Sequence, residues 1–213
     1  MKKVLFTFIA FVALQVNAQV ANYEGEFYFM PKVGVNYSNL TNADLGLRVG
    51  FNIGMAVEGM VTDAFAIESG LYYSVQGAKG SIPYYSNTDT EGYGDVIMKY
   101  NYLNIPVYAK YYLYEGFNVF AGPQFSINTL AEVKISGPGQ SETTDTDGLT
   151  RTFDVGLSGG VGYQLKTGLL ISASYTHGLI GVNKYPLHLD SNNPKKETNF
   201  RNSIVNVSIG WRF

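Results

Sequence analysis

The chain contains no cysteine at all, so no disulfide framework can hold it together. It has only two histidines, His177 and His188, and without cysteine these make a poor transition-metal centre. Basic residues are not in excess: 15 Lys and Arg face 17 Asp and Glu, and no basic patch stands out, which argues against nucleic acid as a partner. After residue 18 there is no run of 18 apolar residues, and a membrane-crossing helix needs about 20. What the chain has instead is 24 glycines, 17 tyrosines and 15% aromatic residues, more than a water-soluble core of this size usually requires. A membrane protein that lacks apolar helices has one other way across a bilayer, a closed β-barrel.

The first residues read as an export signal. Lys2 and Lys3 are followed by an apolar run from Val4 to Leu14 and by Val16-Asn17-Ala18, a small-residue cleavage site. The expected organisation is a signal peptide over 1–18, a periplasmic N-terminal segment over 19–28 and a barrel over 29–213. Cleavage leaves 195 residues, with 13 basic against 17 acidic side chains once Lys2 and Lys3 are gone.

Period-two alternation recurs along the rest, as strands with two unlike faces require. Val205, Val207, Ile209, Trp211 and Phe213 share one face of the last segment, and Asn206, Ser208, Gly210 and Arg212 share the other. The pattern predicts eight strands, near 29–38, 46–61, 65–77, 98–113, 117–134, 152–165, 169–180 and 202–213. Tight turns at Thr62-Asp63-Ala64, Tyr114-Glu115-Gly116 and Lys166-Thr167-Gly168 alternate with longer loops over 39–45, 78–97, 135–151 and 181–201. The fold class is therefore all-β: an eight-stranded antiparallel transmembrane up-and-down barrel, with short periplasmic turns, long extracellular loops and both termini periplasmic.

In such a barrel apolar residues face lipid and polar ones face inward. The inward set includes Lys32, Asn36, Arg48, Asn52, Glu58, Glu68, Gln76, Asn104, Lys110, Gln124, Asn128, Asp154, Gln164 and Arg212. Eight strands leave an interior just wide enough for side chains to fill. Four positive charges (Lys32, Arg48, Lys110, Arg212) against three negative ones (Glu58, Glu68, Asp154) thus predict a paired, non-conducting plug, because unpaired buried charges are very costly. Inward Gly156, Gly160 and Gly162 are expected to make room for inward Tyr72, Tyr102, Tyr108 and Tyr112. Phe65, Tyr111, Tyr112, Tyr114, Phe117, Tyr163, Trp211 and Phe213 should form an aromatic girdle at the short-turn end. Pro106 and Pro123 fall inside strands, where each removes a ladder hydrogen bond, so a bulge or kink is expected at each.

Several stretches carry a family likeness: Pro31-Lys32-Val33-Gly34-Val35-Asn36, Tyr102-Leu103-Asn104-Ile105-Pro106, Gly122-Pro123 and the closing Ile209-Gly210-Trp211-Arg212-Phe213. In these the chain resembles the small outer-membrane barrels of Bacteroidetes-type bacteria, the PorT-like group, and more distantly OmpX and the OmpA barrel. The resemblance spans the mature chain and implies the outer membrane, no cofactor and no assigned chemistry. Terminal Phe213, with Val207, Ile209 and Trp211, looks like the signal read by the barrel-insertion machinery. The partners expected are outer-membrane lipid and lipopolysaccharide, that machinery, and an extracellular or envelope protein; the barrel itself is expected to be a monomer.

Two rival readings stay open, a lipid A-modifying enzyme and a narrow channel. Lipid A deacylases of this shape carry a His-x-Ser pair on a lipid-facing strand. Here His177 stands outward near the outer end of its strand, but residue 179 is leucine and no serine follows nearby, so a nucleophile is missing. His188 lies in a polar loop beside Asp190. Loop acids Asp89, Glu91, Asp145 and Asp147 match no EF-hand spacing. The longest loops carry Tyr84, Tyr85, Tyr93, Tyr185 and Phe200 among polar residues, which fits either an adhesive or partner-binding surface on a rigid scaffold or a purely structural role in which the loops shield the barrel mouth.

Overall fold

A computed structural model describes residues 26–43, 45–85, 91–137, 140–185 and 199–213. The expected signal peptide, most of the segment 19–28, Asp89, His188 and Asp190 lie outside these residues. Among these described residues there are nine antiparallel strands: β1 (Phe27–Thr41), β2 (Gly46–Met60), β3 (Phe65–Tyr85), β4 (Glu91–Tyr114), β5 (Phe117–Gly137), β6 (Gln140–Asp145), β7 (Phe153–Gln164), β8 (Leu169–Gly178) and β9 (Arg201–Trp211). Eight of them close a ring in chain order, because β4 pairs with β5, β5 with β7, and β9 returns to β1. The expected eight-stranded barrel is therefore the fold, and β6 is an addition to it.

Each tight turn has its own local chemistry. Thr62 accepts the Phe65 amide on Oγ1 at 3.0 Å. Glu115 and Gly116 both have positive φ, 39° and 88°, the mirror-image turn that matches strand twist. A Cβ on Gly116 would strike the Gln164 carbonyl, so glycine is required there twice over. Across the seam, Phe213 donates its amide to the Phe29 carbonyl at 3.0 Å and accepts the Phe29 amide in return. The last residue thus helps to close the ring.

Three expectations are corrected. Residues 78–97 are not a loop over most of their length: Ala78 to Tyr85 pair with Glu91 to Met98 as one hairpin. Likewise β5 runs on to Gly137 and pairs with β6 through Glu132↔Asp145 to Gly137↔Gln140. Polar, Gly- and Ser-rich strands surrounded by water have no apolar face, so composition alone cannot distinguish them from loops. The third correction concerns the prolines. Register is continuous past Pro106 (Ser69↔Val107, then Tyr72↔Asn104) and past Pro123 (Pro106↔Gln124, then Ala109↔Ala121). Each proline costs local pairing but shifts nothing, and Ser69 Oγ donates to the Pro106 carbonyl at 2.9 Å. The irregularities fall elsewhere, between Leu47 and Asn52, Asn101 and Tyr102, and Tyr112 and Tyr114.

Burial alternates along each strand as the sequence pattern requires. In β1, Val33 is 50% exposed on the outside while its neighbour Lys32 is buried inside. Val35, Phe51, Ile53, Leu71, Val119, Leu157, Val161, Ile171 and Ile209 are likewise exposed. The barrel is inside-out relative to a soluble protein.

Candidate functional site

The inward side chains lie in layers along the barrel axis. Nearest the tight turns is a charged layer on β1, β2, β3 and β4, joined by the residue that follows β9. Lys110 Nζ lies 2.6 Å from Glu58 Oε2 and 2.6 Å from Glu68 Oε2, so one ammonium bridges two carboxylates. Lys32 bonds the other oxygen of Glu68. Arg212 reaches Glu58 Oε1 at 3.1 Å, and Tyr112 donates to the same oxygen at 2.8 Å. Arg212 also donates to Gln164 at 3.1 Å and lies 3.3 Å above the Tyr28 ring. Three cations and two carboxylates therefore form one network with a net charge of +1. Met30, Ala56 and Leu170 pack beside it as an apolar patch on the inner wall.

The next layer is neutral and polar. Asn36 donates to Ser74 at 2.8 Å and accepts from Asn52 at 3.0 Å and Asn206 at 2.9 Å. A cavity of about 70 Å³ opens here, lined by Lys32, Asn52, Gln76, Asn104, Gln124 and Ser208 among others. That is room for roughly two waters at ~30 Å³ each. Asn104 Oδ1 has no partner among the described residues. Above the cavity Asn202 donates to Asp154 Oδ2 at 2.8 Å and to the Tyr102 hydroxyl at 3.2 Å. Beyond it, toward the mouth, lies an apolar layer of Leu40, Ala78, Tyr100, Tyr102, Ala131 and Val182, with Leu45, Met98 and Phe200 packed against it.

Of the seven charged residues expected inside, five meet: Lys32, Glu58, Glu68, Lys110 and Arg212. The other two stand apart from the network. Arg48 donates to the Gln76 carbonyl, and Asp154 lies near the opposite end with Asn202 as its side-chain partner. The expected packing of glycines against tyrosines is also corrected. A Cβ on Gly160 would come within 2.6 Å of Phe120 and 2.8 Å of Ser174, and one on Gly162 would meet Asn118. Phe120 in turn packs on Tyr108 with ring centroids 5.1 Å apart. Tyr72 lies against Gly54 and Gly70 instead. Tyr112, placed by the sequence both among the inward tyrosines and in the girdle, points inward to Glu58. The apolar layer at the mouth was not anticipated; its one signal is that Leu40, Ala78, Tyr100 and Tyr102 keep the inward phase of their strands.

On the outside the ring brings Ser203 directly opposite His177 on the neighbouring strand. No serine follows His177 nearby in the sequence, but the fold brings one alongside from β9, a neighbour that reading along the chain does not reveal. The two do not form a dyad: the Tyr175 hydroxyl stands between them, 3.1 Å from Ser203 Oγ and 3.4 Å from His177 Nδ1. The loop acids serve their own backbone, Asp147 Oδ1 accepting the Ala131 amide and Asp145 Oδ1 the Asp147 amide. Among the described residues no group of three His, Cys, Asp or Glu could hold a metal.

An inside-out ring of eight strands with a charged, filled interior finds its counterpart in one sequence family, the outer membrane protein beta-barrel domain, whose pattern matches residues 17–183. The chain belongs to that family. Membership implies the outer membrane as its location. No curated protein matches the chain in sequence. Among solved structures, Neisserial surface protein A (NspA) is similar over 90% of this chain and 100% of its own, at 14% identity and a TM-score of 0.50. Ail, the attachment invasion locus protein of Yersinia pestis, aligns over 88% of this chain and 99% of its own, at 13% identity and a TM-score of 0.46. At such identities the likeness speaks for the fold alone.

For an outer-membrane barrel the outward aromatics gain meaning. Phe27, Phe29, Tyr111, Tyr114, Phe117, Tyr163, Trp211 and Phe213 are exposed at the tight-turn end. A second band, Tyr37, Phe51, Tyr73, Phe153 and Tyr175, is exposed at the other end. The eight-residue step from Phe29 to Tyr37 is roughly 26 Å of strand, or about 20 Å along the membrane normal at the usual tilt. That is close to the ~25 Å apolar band such barrels present to lipid.

Proposed function

We propose that this chain is a closed, non-catalytic outer-membrane barrel that presents a binding or adhesive surface outside the cell. The observation that carries the reading is the sheet formed by the far ends of β3, β4 and β5 with β6, which continues past the apolar layer at the mouth. From Gly80 to Tyr85, β3 adds six residues, roughly 20 Å of strand, beyond its pairing with β2 in the ring. Among the described residues no strand pairs with the outer edge of β6, nor with the edge of β3 that faces away from β4 beyond Lys79. Such edges offer rows of backbone donors and acceptors to an added strand of a protein partner.

The filled interior supports a scaffold role over a channel. The bridged carboxylates, the small cavity and the apolar layer beyond it support a filled, non-conducting interior. Tight turns and both chain ends lie on the periplasmic side in this reading, and the barrel acts as a monomer. The stretches 31–36, 102–106 and 209–213 support placing it with the PorT-like barrels of Bacteroidetes-type bacteria, and Val207, Ile209, Trp211 and Phe213 would serve as the signal for the insertion machinery.

Replacing 79–96 by a tight turn tests the reading. The shortened protein should still insert and still run faster unboiled than boiled on a denaturing gel. Attachment of expressing cells to a protein-coated surface should be lost. Unchanged attachment would overturn the binding role, and an unboiled form with no mobility shift would overturn the closed barrel.

A further inference from the structure

Charge is distributed unevenly around the mouth. Among the described side chains, the side formed by β4, β5, β6 and the turn after it carries Asp95, Glu132, Glu142, Asp145 and Asp147 against Lys99 and Lys134 at its outer end. On the opposite side, among the described residues of β7, β8, β9 and β1 with the segments 149–152, 179–185 and 199–200, the only carboxylate is Asp154, and it is buried in the interior. Arg151, Lys184 and Arg201 are all exposed on that side.

The backbone holds these cations close together. Val182 donates its amide to the Phe200 carbonyl at 2.6 Å, and Arg151 donates its amide to the Val182 carbonyl at 2.7 Å. Three chain segments thus run side by side, and neighbouring strands are about 4.8 Å apart. Arg151 Nε is fixed on the Asn183 carbonyl at 3.1 Å, and Lys184 Nζ reaches the Gly148 carbonyl at 3.4 Å.

Their height is the second element of the argument. The outward apolar stripe ends at Tyr37 on β1 and Val205 on β9; on β8 it reaches Tyr175, the cross-strand neighbour of Val205, and exposed Leu179 follows beyond His177. The next outward row is Asn39, Ser203 and His177, and the row above that holds Thr41 and Arg201. Aromatic bands mark the level of the headgroups. Polar groups just above one, facing outward, stand where lipid phosphates and sugars lie. The Tyr175 hydroxyl, shared between Ser203 and His177, holds that row in place and turns donors toward the same region.

We propose that this face binds the phosphate of an anionic outer-leaflet glycolipid, with Arg201, Arg151 and Lys184 supplying charge and His177, Tyr175 and Ser203 supplying hydrogen bonds. The occupant is a lipid because the cations stand directly over the lipid-facing stripe. The natural leaflet follows from the reading that the long connections face outside, on which this proposal rests. In a reconstituted bilayer both leaflets hold the same lipid, so binding there does not depend on that reading.

The test is native mass spectrometry of the full mature chain released from phosphatidylcholine nanodiscs doped with phosphorylated or dephosphorylated lipid A. The protein should retain the phosphorylated form selectively. R151Q/K184Q/R201Q should reduce retention by on the order of tenfold to a hundredfold, whereas K79Q/K99Q/K134Q, on the acidic side, should leave it unchanged. Both triple variants should keep the gel mobility of the folded barrel, since all six side chains are outside the plug. Equal losses in the two would mean bulk charge alone and overturn the site. Displacement of lipid A by inorganic phosphate would make it a free-anion site and overturn the lipid assignment. Outward orientation is checked separately by protease cleavage within 79–96 on intact cells, and failure there would leave the lipid result standing.

Discussion

The network around Lys110 makes an ordering of mutants that simple pair-counting would not. Glu68 is the sole carboxylate paired with Lys32 and one of two paired with Lys110. In E68Q three cations surround one carboxylate, and the local charge rises from +1 to +2 with Lys32 left unpaired. Removing one partner of a buried pair typically costs about 3–5 kcal/mol, and this case belongs near the upper end. K110M does the opposite. It lowers the local charge to zero and leaves two separate pairs, Lys32 with Glu68 and Arg212 with Glu58, so its cost should be near ~3 kcal/mol. Adding K32M to E68Q removes the stranded ammonium and should restore about 2–3 kcal/mol, a coupling in the range of residues that share one network. Reversible urea unfolding in lipid vesicles, followed by the fluorescence of the single tryptophan, Trp211, measures all five proteins: the parent, E68Q, K110M, K32M and K32M/E68Q. If E68Q proved no less stable than K110M, or if the K32M and E68Q effects simply added, the interior charges would not be acting as one network.

Three further outcomes are expected. Val33 lies midway between the two aromatic bands on β1 and faces outward, so Val33→Arg should cost about 2–4 kcal/mol in vesicle unfolding, while Val33→Leu should be near neutral. Gly160→Val would push a branched side chain against Phe120, Ser174 and the backbone of β8, and should destabilise by about 3 kcal/mol or prevent closure, read as loss of the fast-migrating unboiled band. Removing Phe213 deletes the exchange of amide bonds with Phe29 at the seam as well as the proposed insertion signal. Outer-membrane assembly in cells should slow markedly, while spontaneous folding into detergent should fall only modestly; equal effects in both would count against a signal role.

Much of the fold was legible because its information is local. Alternation at period two needs only a residue and its neighbours, and with the spacing of turns it fixed eight strands, their direction and the face each side chain takes. Lys32, Glu58, Glu68, Lys110 and Arg212 could be put inside on that basis alone. Extended polar strands were not legible, since a strand with water on both faces has no alternation to read.

What the sequence could not decide was who meets whom. Register and closure set that, and both are properties of the whole ring. They bring Lys110 between two glutamates from β2 and β3, yet leave Arg48 and Asp154 outside the network that opposite charge alone would have drawn them into. The same closure puts Ser203 beside His177 across 26 residues of chain, stacks Leu40 on Val182 over the mouth, and lets two prolines stay in register. The sequence by itself determined which groups point inward; only the tertiary structure determined which of them touch, because side-chain contact across a barrel depends on the stagger between strands and alternation within one strand carries no record of it.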